Sequence, residues 1–234
     1  MTISRRSYLA AIGAALAAYW HGGAIRAEGG RSPSTENFTL PLPGRTSGLS
    51  VEQTLARRRS VRAFDAAPLT LGQLSQLLWA AQGASHPRGF RTAPSAGALY
   101  PLELYVVSGD VTGLAQGVYK YRADDHKLIR TGDGDLRVDT ARAALRQSWI
   151  ANSRAIMVVA AVFRRTMAKY GERGERYVHM EAGHVAQNVY LQATALGLGT
   201  TVVGAFDDDR LRALLGMTKQ EAPLSLLPLG RLPD

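Results

Sequence analysis

Arg57, Arg58, Arg59 and Arg62 fall within six residues, with Ser60 between them. A guanidinium is a planar fork of donors suited to a phosphate, and serine adds a hydroxyl. In an extended segment Arg58, Ser60 and Arg62 alternate onto one side. Three such donors side by side could hold a phosphate and the polar edge of a ring together. A solvated basic turn following a helix has the same composition, because runs of charge are commonly surface.

Other stretches carry groups of the same kind. Pro94-Ser95-Ala96-Gly97-Ala98-Leu99-Tyr100-Pro101 is a turn of small residues between prolines. Small residues let backbone approach a flat ring closely, although a tight turn before a strand reads the same way. In Val202-Val203-Gly204-Ala205-Phe206 a strand runs out toward a helix, and backbone N–H groups there can donate to a ligand edge. The alternative is a plain loop glycine. Gln147 offers a donor and an acceptor on one side chain, or is simply an exposed helical glutamine. Glu181-x-x-His184 would need a second such motif and further glutamates to hold metal, so a buried hydrogen-bonded pair beside Asn188 is expected instead. Gly197-x-Gly199 follows a helix rather than a strand and is not a dinucleotide fingerprint.

Several elements must position these groups. A short helical run, Val51 to Ala56, precedes the arginines. Thr70 caps a helix predicted over Leu71 to Gln82, with Leu74, Leu77 and Leu78 on one face. Gly83 to Thr92 reads as a polar loop and Leu102 to Ser108 as a strand. Val118–Tyr121 and Lys127–Ile129 flank a turn as a hairpin. A helix is predicted near Val138 to Trp149, then a buried strand over Ala155–Phe163. The longest helix is predicted from Arg176 to Leu196, with Val178, Ala182, Val185, Val189, Ala193 and Leu196 as its apolar stripe. Leu211 to Leu215 forms a short helix opened by Asp207–Asp209, and Leu224 to Leu229 a last strand. Strands mixed irregularly with helices indicate an α+β fold.

The sequence R-R-S-x-R, with Ala93–Glu103, Lys169–Gly174, Glu181–Asn188 and Val202–Asp209 in that order, resembles the nitroreductase family. The likeness runs from about Leu40 onward, and within the family it points to the SagB-type dehydrogenases, which include enzymes oxidising thiazolines and oxazolines to azoles. It implies an FMN-binding fold with a central, mostly antiparallel sheet flanked by helices, in an intertwined homodimer. It also implies a cofactor-binding set of Arg58, Arg59, Ser60, Arg62, Pro94, Ser95, Ala96, Val203, Gly204, Ala205 and Arg231, to which Gln147 is added because its amide could satisfy the flavin pyrimidine edge. In that set Arg58, Arg62 and Arg231 take the phosphate, and Pro94, Ser95 and Ala96 reach the flavin of the opposite subunit. Many relatives carry an acidic residue where Gly204 stands, and a backbone contact survives that difference. Lys169 and Tyr170 match a pair used by the azole-forming members, in which a lysine kept neutral by burial, or a phenolate, could take the substrate's carbon-bound proton. A surface lysine beside a packing tyrosine is the alternative.

At 234 residues and 46% hydrophobic content the chain can build a substantial core. Its charge is +9 and its pI about 10.2. The arginines are not interleaved with aromatics, so an anionic cofactor explains them better than nucleic acid. Residues 1–27 read as a twin-arginine signal, Arg5-Arg6 followed by an apolar run of 13 residues from Tyr8 to Trp20, short of the roughly 20 that span a bilayer. Residues 28–49 read as a linker or arm, and 50–234 as the FMN-binding domain. Taking Arg5, Arg6 and Arg26 from +9 leaves +6. The twin-arginine translocon carries proteins already folded around a cofactor, which suits a flavoprotein destined for the periplasm or another extracytoplasmic space. Zero cysteines exclude disulfides and thiolate chemistry. The expected activity is hydride transfer through flavin N5 on a small-molecule or peptide-derived substrate. An NAD(P)H-dependent nitroreductase and a flavin-binding accessory protein without turnover stand as alternatives.

Overall fold

The structure, a computed structural model, describes residues 36–233. The expected signal segment and the first part of the arm lie outside the described residues. In chain order the elements are β1 (Asn37–Thr39), α1 (Val51–Arg57), β2 (Leu69–Thr70), α2 (Leu71–Gln82), β3 (Leu102–Ser108), β4 (Val111–Thr112), β5 (Gly117–Arg122), β6 (Lys127–Asp133), α3 (Arg137–Ala143), β7 (Ala155–Ala161), α4 (Arg164–Tyr170), α5 (Arg173–Ala195), β8 (Leu198–Thr200), α6 (Asp208–Leu214) and β9 (Ala222–Arg231).

Seven strands form one sheet in the order β1-β6-β5-β3-β7-β9-β8, every neighbouring pair antiparallel. The fold is α+β, as the irregular mixture of elements predicts. Alternation along β3 divides the core in two. Leu102, Leu104 and Val106 face the α2 leucines and the α5 stripe, while Tyr105 and Val107 face α3 and α6. On α2, threonine chemistry starts the helix where expected: the Thr70 hydroxyl accepts from Gln73 N–H, and the Gln73 side chain returns to the Thr70 backbone. Of the α5 stripe, Val178, Val185, Val189 and Ala193 are fully buried.

Several elements depart from the sequence reading. The arm does not stay outside the sheet: Asn37–Thr39 pairs with β6, and Leu40 is buried behind it. The helix expected over Val138–Trp149 stops at Ala143. Leu145 and Arg146 turn left-handed, with φ of 54° and 59°, and a 3-10 turn covers Ser148–Asn152. Local pattern is helical across this stretch, but the turn sends Gln147 to the neighbouring loop instead. α4 and β8 are further elements not anticipated from the pattern. α5 begins at Arg173, three residues earlier than predicted.

Candidate functional site

The arginine segment is extended and lies along β8. Ser60 bridges Thr200 in parallel, and Val61 N–H donates to Thr200 O at 2.9 Å. The approach is so close that a side chain at Gly199 would begin 2.6 Å from Val61, which only glycine avoids. Further on, Asp65 N–H donates to the carbonyl of Arg231 at 3.1 Å. A segment distant in sequence from the C-terminal arginine is thereby laid beside it.

Tyr190, on α5, organises the other side of this segment, and nothing in the sequence motifs singled it out. Its hydroxyl lies 3.3 Å from Ser60 Oγ, donates to Thr201 Oγ1 at 3.3 Å, and accepts from Val202 N–H at 2.9 Å. The Arg58 guanidinium stacks 5.2 Å from its ring centre. Burial opposes ionisation of this phenol. The hydrogen bonds with Ser60, Thr201 and Val202, with the Arg58 charge nearby, outweigh burial and hold its pKa below the usual phenol value. Its signal in the sequence was only a tyrosine one residue beyond Val189 of the apolar stripe, which reads equally as packing.

Arg62 stands over the Trp149 ring at 5.9 Å. Two residues before that tryptophan, Gln147 Nε2 donates to Ala144 O at 3.0 Å and Ala205 O at 3.3 Å. The amide therefore locks the turn after α3 to the Gly204–Ala205 loop, from a turn rather than from a helix. Arg58, Ser60, Arg62, Gln147, Gly204, Ala205 and Arg231 thus belong to one contiguous region.

Two expected ligand groups are already engaged elsewhere. Arg59 Nη1 donates to the carbonyls of Ala56 and Arg58 at 2.9 and 2.8 Å, where it caps the end of α1. Val203 N–H donates to Leu226 O at 2.9 Å, in a bridge that closes on both sides and consumes the donor. Among the described residues the N–H groups of Gly204 and Ala205 have no hydrogen-bond partner, and both residues are exposed. Nothing stands within 4 Å of where a side chain at Gly204 would begin.

A second cluster forms around the Pro94–Pro101 turn. Gly97 has φ 64°, and a side chain there would begin 2.8 Å from the Tyr170 hydroxyl and 3.0 Å from Lys169 Nζ. Motifs more than 70 residues apart in sequence thus meet at one glycine. Lys169 Nζ lies 5.3 Å from the Tyr170 ring centre, and Tyr170 packs edge-on against Tyr177 at 5.2 Å. Lys169 is exposed, so the buried setting expected for a neutral base is not built by this chain alone. One helical turn before it, Arg165 donates to the carbonyl of Tyr100 at 3.0 Å and pairs with Glu103. Arg165, Tyr100 and Arg91 wall a cleft of about 580 Å³.

Glu181 is buried, but its partner is not His184. Gln82 Nε2 donates to its carboxylate at 3.2 Å, while His184 is exposed and Asn188 donates to Ala80 O. Burial raises the Glu181 pKa, with the Gln82 bond acting against it. Glu181 and Tyr190 are nine residues apart on α5, so the two clusters lie about 13 Å apart along that helix at roughly 1.5 Å per residue.

A sheet flanked by helices, with an arginine-rich edge and, among the described residues, unpartnered loop amides beside it, defines the class of small α+β proteins able to hold an anionic ligand. The nitroreductase family model matches residues 55–231, and the chain belongs to that family. MJ1384 of Methanocaldococcus jannaschii, assigned as a nitroreductase, is 51% identical over 183 residues, covering 78% of this chain and 91% of the relative. A Ralstonia eutropha JMP134 protein of known crystal structure, assigned likewise, aligns with a TM-score of 0.75 and 32% identity, over 85% of this chain and 90% of that one. The trifolitoxin-processing protein TfxB of Rhizobium leguminosarum bv. trifolii is 34% identical over 113 residues, which is 46% of this chain but 30% of TfxB.

Proposed function

We propose that the chain is an exported, FMN-dependent oxidoreductase of the SagB type, acting as a homodimer on an azoline or a similar peptide-derived ring. The observation that carries this reading is the meeting of Lys169 and Tyr170 with the Pro94–Pro101 turn at Gly97. The likeness to TfxB supports a peptide-derived substrate.

The residues present fit FMN. Arg58, Arg62 and Arg231 supply fixed positive charge for a phosphate, and Ser60 adds a hydroxyl. Among the described residues Thr200 Oγ1, beside Ser60, is buried without a partner, a polar atom with bonding capacity to spare. The N–H groups of Gly204 and Ala205 can donate to the N5 and O4 edge. Gln147 fits a supporting role, since its Nε2 is engaged with Ala144 and Ala205. Pro94, Ser95 and Ala96 contact the flavin of the second copy, which explains why they stand along α5 from Arg58 rather than beside it. Oxidation of an azoline to an azole removes one proton and one hydride; FMN, when bound, supplies the hydride acceptor. Lys169 or Tyr170 takes the proton, and closure of the dimer supplies the dry surroundings Lys169 lacks in the single chain.

Purified protein should be yellow and should take up FMN on titration. Under anaerobic conditions a thiazoline-containing peptide should bleach the flavin faster than NADPH does. Colourless protein that binds no FMN overturns the cofactor assignment. The likeness to MJ1384 favours a second reading, an NAD(P)H-dependent nitroreductase, and bleaching by NADPH with none by any azoline selects it.

Export rests on Arg5 and Arg6 ahead of the apolar run. Replacing both by lysine should leave the precursor in the cytoplasm, because the translocon reads the guanidinium pair. Unchanged delivery of the double variant, followed by fractionation and immunoblot, contradicts the twin-arginine route.

A further inference from the structure

A cavity of about 440 Å³ lies between α3, the turn that follows it and α6. Arg142, Arg146, Ser148 and Arg210 line it, and Val138, Ala141 and Ala151 supply its apolar wall. None of them belongs to the set argued to hold the flavin. Tertiary contacts bring the three elements together. Asp207 N–H donates to Ala143 O at 2.9 Å, which fixes the start of α6 against the end of α3. Leu211 of α6 packs into the same buried cluster as Ala141 and Ala144.

Charge at this cavity is unbalanced. Arg142 is compensated by Asp139 at 2.8 Å. Among the described residues the guanidinium groups of Arg146 and Arg210 have neither an ion pair nor a hydrogen bond. Of the acids that open α6, Asp207 caps the helix by accepting from Arg210 N–H, Asp209 pairs with Arg212, and Asp208 pairs with neither arginine. Like charges gathered about a hollow repel one another, and a bound anion would offset that repulsion.

The backbone here is unusual too. Leu145 and Arg146 are consecutive residues with side chains, yet their φ angles are 54° and 59°. Leu145 is left 65% exposed. Left-handed residues other than glycine gather at ligand clamps and persist only where their surroundings hold them. This pair turns the chain out of α3 and sets Arg146 and, two residues on, Ser148 at the cavity.

The lining selects a ligand class. Guanidinium forks suit phosphate, and the Ser148 hydroxyl adds a donor. The volume falls in the range of about 300–1,000 Å³ usual for small organic ligands, well beyond what a bare phosphate fills. Alanine on two sides of the wall leaves room for a flat ring to lie against it. We propose that this cavity binds a phosphate ester carrying a flat ring, a ligand of mononucleotide size, at a site separate from the arginine edge of the sheet. The proposal does not rest on the function proposed above.

Gln147, which ties the turn to Ala205, stands between Arg146 and Ser148, so the test must separate this site from the flavin's. ADP is the probe, in equilibrium dialysis against purified protein saturated with FMN, which keeps the arginine edge occupied. One ADP should bind per chain, more weakly as salt is raised. Arg210→Ala and Arg146→Asn should each weaken ADP binding about tenfold, the scale of one charge-assisted hydrogen bond, with FMN affinity unchanged. Asparagine tolerates the left-handed backbone, so the turn survives loss of the charge, and circular dichroism checks that both variants are folded. Arg142→Ala should cost less, because Asp139 already shares that guanidinium. Inorganic pyrophosphate, which has the charge without the ring, should bind at least about tenfold more weakly than ADP. No retention of ADP by the wild type, or an affinity unmoved in both Arg146→Asn and Arg210→Ala, would overturn the site. Folded variants that lose FMN together with ADP would show that the cavity takes the flavin phosphate, which overturns a separate site. Pyrophosphate bound as tightly as ADP would overturn the ring. Wild-type protein that takes up no FMN would instead overturn the cofactor reading, and dialysis of the flavin-free variants would still decide the cavity.

Discussion

Lys169→Ala and Tyr170→Phe should slow bleaching of the flavin by a competent substrate about 10²- to 10⁴-fold, the usual contribution of a positioned general base. Flavin affinity and the oligomeric state should be unchanged, because neither side chain lies in the arginine region. The structure adds a reason to vary both. Lys169 Nζ and the Tyr170 hydroxyl converge on the same glycine, so either could be the base while the other orients it. A base must be near the proton it removes, and geometry of this kind precedes any argument about ionisation. Anaerobic stopped-flow comparison of the two variants with wild type separates the cases. A deficit in Lys169→Ala alone makes lysine the base, with Tyr170 packing on Tyr177. Equal rates in all three proteins would remove both residues from catalysis.

FMN retention should fall by about ten- to a hundredfold in Arg58→Ala and in Arg231→Ala. A charge-assisted contact with phosphate is worth about 1.5–3 kcal/mol. The two arginines reach the site differently. Arg231 ends a sheet strand, so its removal should leave the fold unaltered. Arg58 is also stacked on Tyr190, and its loss takes a charge from beside the hydroxyl that joins Ser60, Thr201 and Val202. Arg58→Ala should therefore be the more severe, and Arg58→Lys should recover only part of it, because an ammonium neither forks nor stacks as a guanidinium does. Arg59→Ala is the internal control. Its Nη1 caps α1, so it should cost a little stability and leave FMN affinity as it was. Equilibrium titration with thermal unfolding measures both quantities. Undiminished affinity in both Arg58→Ala and Arg231→Ala would remove the phosphate from this edge of the sheet.

By itself the sequence determined those elements whose information is local. The capping box and leucine face of α2, the strands β3 and β7, the β5–β6 hairpin and the α5 stripe follow from hydrophobic period and from turn residues, which neighbours in the chain decide. The kinds of residue at the site were legible too, since arginine clusters and small-residue turns advertise their chemistry by composition. Tertiary structure alone decided the rest. β8 is a three-residue strand that exists because Arg231 and its neighbours offer a partner across the sheet, and β1 is likewise recruited by β6. The helical pattern after Ala143 lost to a turn that ties Gln147 to Ala205. Arg59 and Val203 look like their neighbours in sequence, yet one donor is used by a helix end and the other by Leu226. Tyr190 became a hub, and Glu181 a partner of Gln82 instead of His184, because three-dimensional packing brings together hydrogen-bonding groups that sequence spacing keeps apart. A buried polar group must find a partner, and which partner it finds is a property of the folded chain.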